Sequence, residues 1–132
     1  MKMIKRNRAF SFVELMVVIA IMGIIFAVTT VTYTNVTKNS RDARRKSDME
    51  SIRQALELCR SYAGEYPDAA SGGKVPTTIS CGSPAQVYMQ TVPVDPKDNT
   101  ARYNYVPTGG ITYTLSTSLM ESGSNLYTVT NP

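Results

Sequence analysis

The sequence has no histidine, which excludes Ser-His-Asp and Cys-His nucleophile systems and His-ligated zinc sites. It has no acidic residue among its first nine, where Lys2, Lys5, Arg6 and Arg8 stand. Those four account for the whole formal charge of +4. From Phe10 onward basic and acidic side chains balance, so net charge gives no reason to require a nucleic-acid partner. No A-x-A-like site follows the apolar run that begins at Phe10, which argues against a conventional cleaved secretory signal. Neither proline nor glycine occurs between Ile24 and Ala63, so a helix entering that stretch meets no breaker. Cysteine is scarce too: Cys59 and Cys81 permit one intramolecular pairing.

What is present is a long apolar run. Phe10 to Val31 is built from Leu, Ile, Val, Met, Phe and Ala, interrupted by Ser11, Glu14, Gly23, Thr29 and Thr30. As a helix it spans roughly 33 Å, enough for a hydrocarbon core of about 30 Å. It reads as a membrane-spanning helix, and the basic cluster 1–9 before it predicts a cytoplasmic N-terminus with the remainder exported. The second cluster, Arg41, Arg44, Arg45 and Lys46, is diluted by Asp42, Asp48 and Glu50. Glu14 is the odd residue. A carboxylate in a spanning segment costs up to about 3 kcal/mol at the centre and less near an interface, and such groups are usually functional. Glu14 therefore requires a cationic partner.

The 132 residues leave room for one small domain beyond the membrane. The helix is predicted to run over 10–63, transmembrane over 10–31 and amphipathic over 38–63. Met49, Ile52, Leu56, Cys59 and Ala63 form its apolar stripe, widened by Ala55 and Tyr62. Arg41, Arg44, Arg45, Asp48, Glu50, Arg53, Glu57 and Arg60 fall largely off that stripe. They read as a solvated face, with Arg44 and Arg45 alternatively contacting adjacent subunits or lipid headgroups. Between the halves, eight of the ten residues Val28 to Thr37 are β-branched, which lowers helix propensity. That stretch is either a plain helix crossing the headgroups or a segment that unwinds when subunits pack. Gly64, followed by Glu65-Tyr66-Pro67, ends the helix.

The remainder, 64–132, reads as a globular head. Asp68 to Gly82 is a surface loop by composition. Ser83-Pro84 suits the start of a short helix reaching about Gln90. Tyr103 to Val106 and Ile111 to Leu115 alternate as strands joined by Pro107-Thr108-Gly109-Gly110, with Ile111, Tyr113 and Leu115 on one face. A third strand is expected at about Leu126 to Thr130. The fold class is α+β, a long N-terminal helix packed on a small antiparallel sheet. A bridge between Cys59 and Cys81 would pin the loop to the helix and contribute about 3 kcal/mol in the chain-entropy estimate. Two free thiols are the other reading.

The string Arg8-Ala9-Phe10-Ser11-Phe12-Val13-Glu14-Leu15-Met16-Val17-Val18-Ile19-Ala20-Ile21-Met22-Gly23-Ile24-Ile25 resembles the N-terminal signature of type IV pilins and type II secretion pseudopilins. The resemblance implies cleavage by prepilin peptidase between Ala9 and Phe10, at a site where the family usually has Gly before the cut. It implies N-methylation of Phe10. It assigns Glu14 to pairing with the N-terminal amine of a neighbouring subunit during assembly, which supplies the missing cation. Gly64-Glu65-Tyr66-Pro67 and Tyr88-Met89-Gln90-Thr91-Val92-Pro93-Val94-Asp95-Pro96 are similar to the major pseudopilin. The implied protein is a homo-oligomeric filament subunit, held in the lipid bilayer before assembly. Its implied partners are the inner-membrane assembly platform and minor pilins or pseudopilins. The implied location is the inner membrane, then a periplasmic or extracellular filament.

Pseudopilins often hold calcium near their sheet loops, which makes Asp95, Asp98 and Asn99 calcium candidates; an Asx-stabilised turn is the other reading of those residues. No other cofactor and no enzymatic activity are expected. A second functional class is a single-pass anchored, exported binding protein that never polymerises, with head tyrosines lining its ligand site. Glu14 separates the classes, because a mere anchor has no use for it.

Overall fold

The computed structural model describes residues 10–123 and 125–131; the expected leader 1–9, with Ala9 of the expected cleavage site, lies outside them, as do Ser124 and Pro132. The elements are α1 (Phe12–Ala63), β1 (Ile79–Cys81), β2 (Gln86–Met89), β3 (Asn104–Thr108), β4 (Thr112–Thr117) and β5 (Tyr127–Thr130). The chain divides into two units, Met1–Val36 and Thr37–Pro132.

In the first unit α1 presents its apolar side chains outward, with Phe12, Ile19, Ile24 and Phe26 all exposed. One 18-residue window of α1 reaches a mean hydropathy of 2.6 with none of it buried, so the helix is long and apolar enough to cross a membrane. α1 continues through the β-branched stretch. There the Thr29 hydroxyl donates to the carbonyls of Ile25 and Phe26 at 2.8 and 3.1 Å, a local bond that satisfies the side chain without leaving the helix.

The second unit holds the core. Met49, Ile52, Ala55, Leu56 and Cys59 of α1 are buried because i, i+3 and i+4 spacing sets them on one face. They pack in one cluster with Tyr66, Val75, Ile79, Val92, Tyr103, Tyr105, Tyr113 and Leu115. β3, β4 and β5 form an antiparallel sheet in that order. On β4, Tyr113, Leu115 and Thr117 point to the core and alternate with more exposed neighbours, the period of two that a one-sided sheet requires. The Tyr113 ring meets Tyr66 edge-on at 4.7 Å and Tyr105 at 5.9 Å.

α1 stops where Gly64 adopts a φ of 85° and its N–H closes on the Arg60 carbonyl at 2.8 Å, the left-handed stop that glycine accepts without strain. The stripe's C-terminal end is open: Tyr62 is half exposed and lies 6.3 Å from the Tyr88 ring.

Three expectations for the head are corrected. The short helix from Ser83 to Gln90 is absent. Gly82, at a φ of 85°, turns the chain back, and β2 pairs antiparallel with β1, Cys81 opposite Gln86 and Ser80 opposite Val87. The Asp68–Gly82 segment is accordingly more than a surface loop, since it carries β1 and buries Val75 and Ile79. In the hairpin, Pro107 and Thr108 belong to β3, with Thr108 opposite Thr112. Ile111 therefore falls in the turn and is exposed instead of sharing the face of Tyr113 and Leu115.

Candidate assembly site and buried ion cluster

Phe10 precedes the first turn of α1 and is 85% exposed; Glu14, in that turn, is exposed too. Among the described residues Glu14 has no ion pair. Its position in the first turn suits a carboxylate, because helix N-terminal N–H groups favour negative charge. The arrangement offers an acceptor to a cation from outside the subunit.

Cys59 and Cys81 are joined, with Cα atoms 5.8 Å apart. The bridge ties β1, and through it β2, to the buried stripe of α1.

The largest departure from the sequence reading is Arg45. It is fully buried, not solvated and not available to lipid or a neighbour. Its Nε donates to Asp95 Oδ2 at 2.5 Å and its Nη2 to Asp95 Oδ1 at 3.0 Å, the planar fork that arginine alone presents to a carboxylate. Nη1 reaches Asp42 at 2.7 Å, and both Nη groups reach Glu121 at 3.3 Å. Asp42 in turn accepts the backbone N–H groups of Glu121 and Ser122 and the Ser122 hydroxyl. Arg41 grips Glu121 from the rim, at 2.7 and 2.6 Å. The cluster fastens the segment around Glu121 and the turn at Asp95 to one turn of α1.

Electrostatics follow the geometry. Burial pushes the Asp42 carboxyl up, but donation from Ser122, the two backbone N–H groups and Arg45 outweighs it, leaving the group at about 2. The Arg41 guanidinium, opposed by burial and aided by Arg45 and Lys97, holds Glu121 at about 2. Asp95 is also lowered: burial raises it and Arg45 with the Lys97 and Asp98 N–H groups brings it down.

Asp95 thus serves Arg45 and an Asx turn. Its Oδ1 also accepts the Lys97 and Asp98 N–H groups at 2.9 and 3.1 Å, and Asp98 Oδ1 accepts from Thr100. Both Asp95 oxygens are engaged, and the Asx turn expected as the second reading of Asp95, Asp98 and Asn99 is formed by Asp95 and Asp98. Among the described residues no group of three or more His, Cys, Asp or Glu side chains is placed to hold a metal ion; the three carboxylates that do gather are turned to Arg45.

The tyrosines build the core. Tyr66 and Tyr113 donate to Glu57 at 3.0 and 3.3 Å, Tyr103 to Asp48 at 3.0 Å, and Tyr105 to the Pro67 carbonyl at 2.8 Å. Buried tyrosines need such partners for their hydroxyls. Glu57 and Asp48 are consequently acceptors at the helix–sheet seam, and Tyr66, Tyr103, Tyr105 and Tyr113 are committed to the core.

Sequence reasoning missed Asp42 and Arg45 although the signal was present. Asp42, Arg45, Met49, Ile52, Leu56 and Cys59 continue one helical stripe at spacings of three and four. Charge alone removed the first two from it.

Two comparisons bear on identity. The description "Prokaryotic N-terminal methylation motif" matches residues 4–30, the stretch that contains Phe10 and Glu14. The type IV major fimbrial protein FimA of Dichelobacter nodosus is 30% identical over 61% of this chain. The match spans 58% of that protein's length. The likeness is to an N-terminal methylation motif and to a type IV fimbrial protein, and it does not separate pilus pilins from secretion pseudopilins. No solved structure matches.

Proposed function

We propose that the chain is a structural subunit of a type IV pilus-like filament. In this reading it enters the inner membrane with its N-terminus cytoplasmic and its head exported. Prepilin peptidase cuts between Ala9 and Phe10, Phe10 is N-methylated, and the subunit then polymerises through α1. One observation carries the reading: an exposed apolar helix with a single carboxylate, Glu14, one turn from Phe10. An apolar face needs lipid or other helices around it. The carboxylate needs a cation there, and the amine freed at Phe10 of a neighbouring copy provides one.

Glu14→Ala separates a filament subunit from a singly anchored binding protein. Expressed with its assembly machinery, the variant should remain in the membrane fraction and form no filaments, whereas the unaltered chain forms them. Filaments at the unaltered yield would overturn the assembly role. Intact mass of the filament protein tests processing: a chain beginning at methylated Phe10 is expected, and one still beginning at Met1 refutes the cut.

A further inference from the structure

Hydroxyl side chains dominate the face of the β3–β4–β5 sheet turned away from the core. Directly opposed residues of antiparallel strands share a face, and the register sets Lys74, Asn104, Ser116 and Thr128 in one row across it. The next row is Val106, Thr114 and Thr130, all exposed. At the Lys74 end of the first row lies a cavity of about 160 Å³, whose lining includes Lys74, Arg102, Asn104, Ser116 and Ser118 and no carboxylate. Asp98, the carboxylate nearest to Arg102 in the sequence, already accepts from Thr100. Both cations are half-buried and held in place: Lys74 Nζ donates to Asn104 Oδ1 at 2.6 Å and Arg102 Nη1 to the Val75 carbonyl at 3.1 Å. Arg41, Arg45, Arg53 and Lys97 are each neutralised by a carboxylate, whereas Lys74 and Arg102 have no ion pair among the described residues. An amide and a carbonyl fix a cation without cancelling its charge, and each cation keeps further N–H donors unspent.

We propose that this cavity takes the carboxylate of an acidic sugar, and that the neutral sugars joined to it lie along the hydroxyl rows of the sheet. Charge complementarity selects the occupant. Two positioned but unneutralised cations, one of them a guanidinium fork, call for an oxyanion. Beyond them Thr114, Thr128 and Thr130 offer donors and acceptors but no further cation, which suits a sparsely charged, hydroxyl-rich chain. A nucleic acid, with a phosphate at every unit, would need cations along its whole path. Size points the same way. The cavity is smaller than the roughly 300–1,000 Å³ of sites that enclose a whole small molecule, so it admits one charged group and leaves the rest of the chain on the sheet. The face belongs to the head alone, and the inference does not depend on the filament reading.

The test is an NMR titration of the full chain in detergent with sialyllactose and with a glucuronate-capped trisaccharide, each carrying one carboxylate, and with lactose, inorganic phosphate and oligothymidylate. At least one acidic trisaccharide should bind and shift the Asn104, Thr114 and Ser116 amides, while lactose at the same concentration leaves them unmoved. Lys74→Ala and Arg102→Ala, each removing a charge-assisted bond, should weaken that binding about tenfold. Thr114→Glu sets a like charge in the path of the chain at an exposed position and should weaken it as well; it keeps the test decisive where a cation variant fails to fold, which its melting temperature reports. Binding by neither acidic trisaccharide overturns the proposal, as does equal binding of lactose or unchanged affinity in all three variants. Phosphate bound as tightly as the trisaccharides means an adventitious ion only and overturns the sugar assignment. Oligothymidylate bound more tightly than either overturns it in favour of a nucleic acid.

Discussion

Replacing Arg45 by methionine keeps the length and apolar stem of the side chain and removes the charge around which three carboxylates are arranged. Asp95 is only 1% exposed and Asp42 5% at the side chain, so neither recovers water when the guanidinium is gone. Asp42 retains the Glu121 and Ser122 donors, but Asp95 is left with the two N–H groups of its own turn. Removing one partner of a buried pair in this way typically costs about 3–5 kcal/mol. For a unit of about a hundred residues this corresponds to a melting temperature lower by on the order of 20 °C. Arg44→Met, one residue away and exposed, should stay within about 0.5 kcal/mol of the unaltered chain. The assay is scanning calorimetry of the full chain in detergent, with Arg45→Met/Asp95→Leu as the third variant. Because a buried charge with no partner is the origin of the loss, the double variant should regain much of it. If Arg45→Met melts with Arg44→Met, the buried cluster is not what holds the Asp95 and Glu121 segments to the helix.

Two further predictions follow from the same geometry. Asp42 and Glu121 are held at about 2 in the folded chain and Asp95 is lowered, so their contribution is present above the ordinary carboxylate range near pH 4 and is lost as pH falls towards 2. Asp48 is raised by burial and works with the opposite sign, one group against these three and Glu50 and Asp98, which are lowered as well. The melting temperature should be flat from pH 7 to about 5 and fall steeply between about 4.5 and 2; a flat profile down to pH 2 contradicts the assignment. The second concerns the bridge. Cys59→Ala/Cys81→Ala removes a link across 22 positions and should destabilise the head by about 3 kcal/mol. Denaturant titration measures it, and a loss below about 1 kcal/mol would show that the buried stripe positions β1 without the bridge.

The sequence made the helix, its stop and the sheet legible because each rests on local chemistry. A period of 3.6 needs only neighbours three and four residues away, and Gly64 ends a helix whatever lies beyond it. The alternation of Tyr113, Leu115 and Thr117 likewise needs only a one-sided sheet. The error at Ser83-Pro84 has a local cause as well. Serine and proline favour a helix start and a turn alike, and only Gly82 swinging β2 back onto β1 distinguishes them. The true length of the β3–β4 turn depended on which residues found partners across the hairpin, which no single strand contains.

By itself the sequence determined the apolar helix with Glu14 near its start, the balance of charge beyond residue 9, and the apolar part of the stripe. Each depends on residue type and spacing along one element. Only tertiary structure decided the fate of the charges. Whether Arg45 faces water or sits at the centre of a cluster depends on Asp95 and Glu121, fifty and seventy-six residues away. Burying a guanidinium is unfavourable until all of its partners arrive together. The same holds for Asp95, whose oxygens meet the Arg45 guanidinium only once the chain between them has folded.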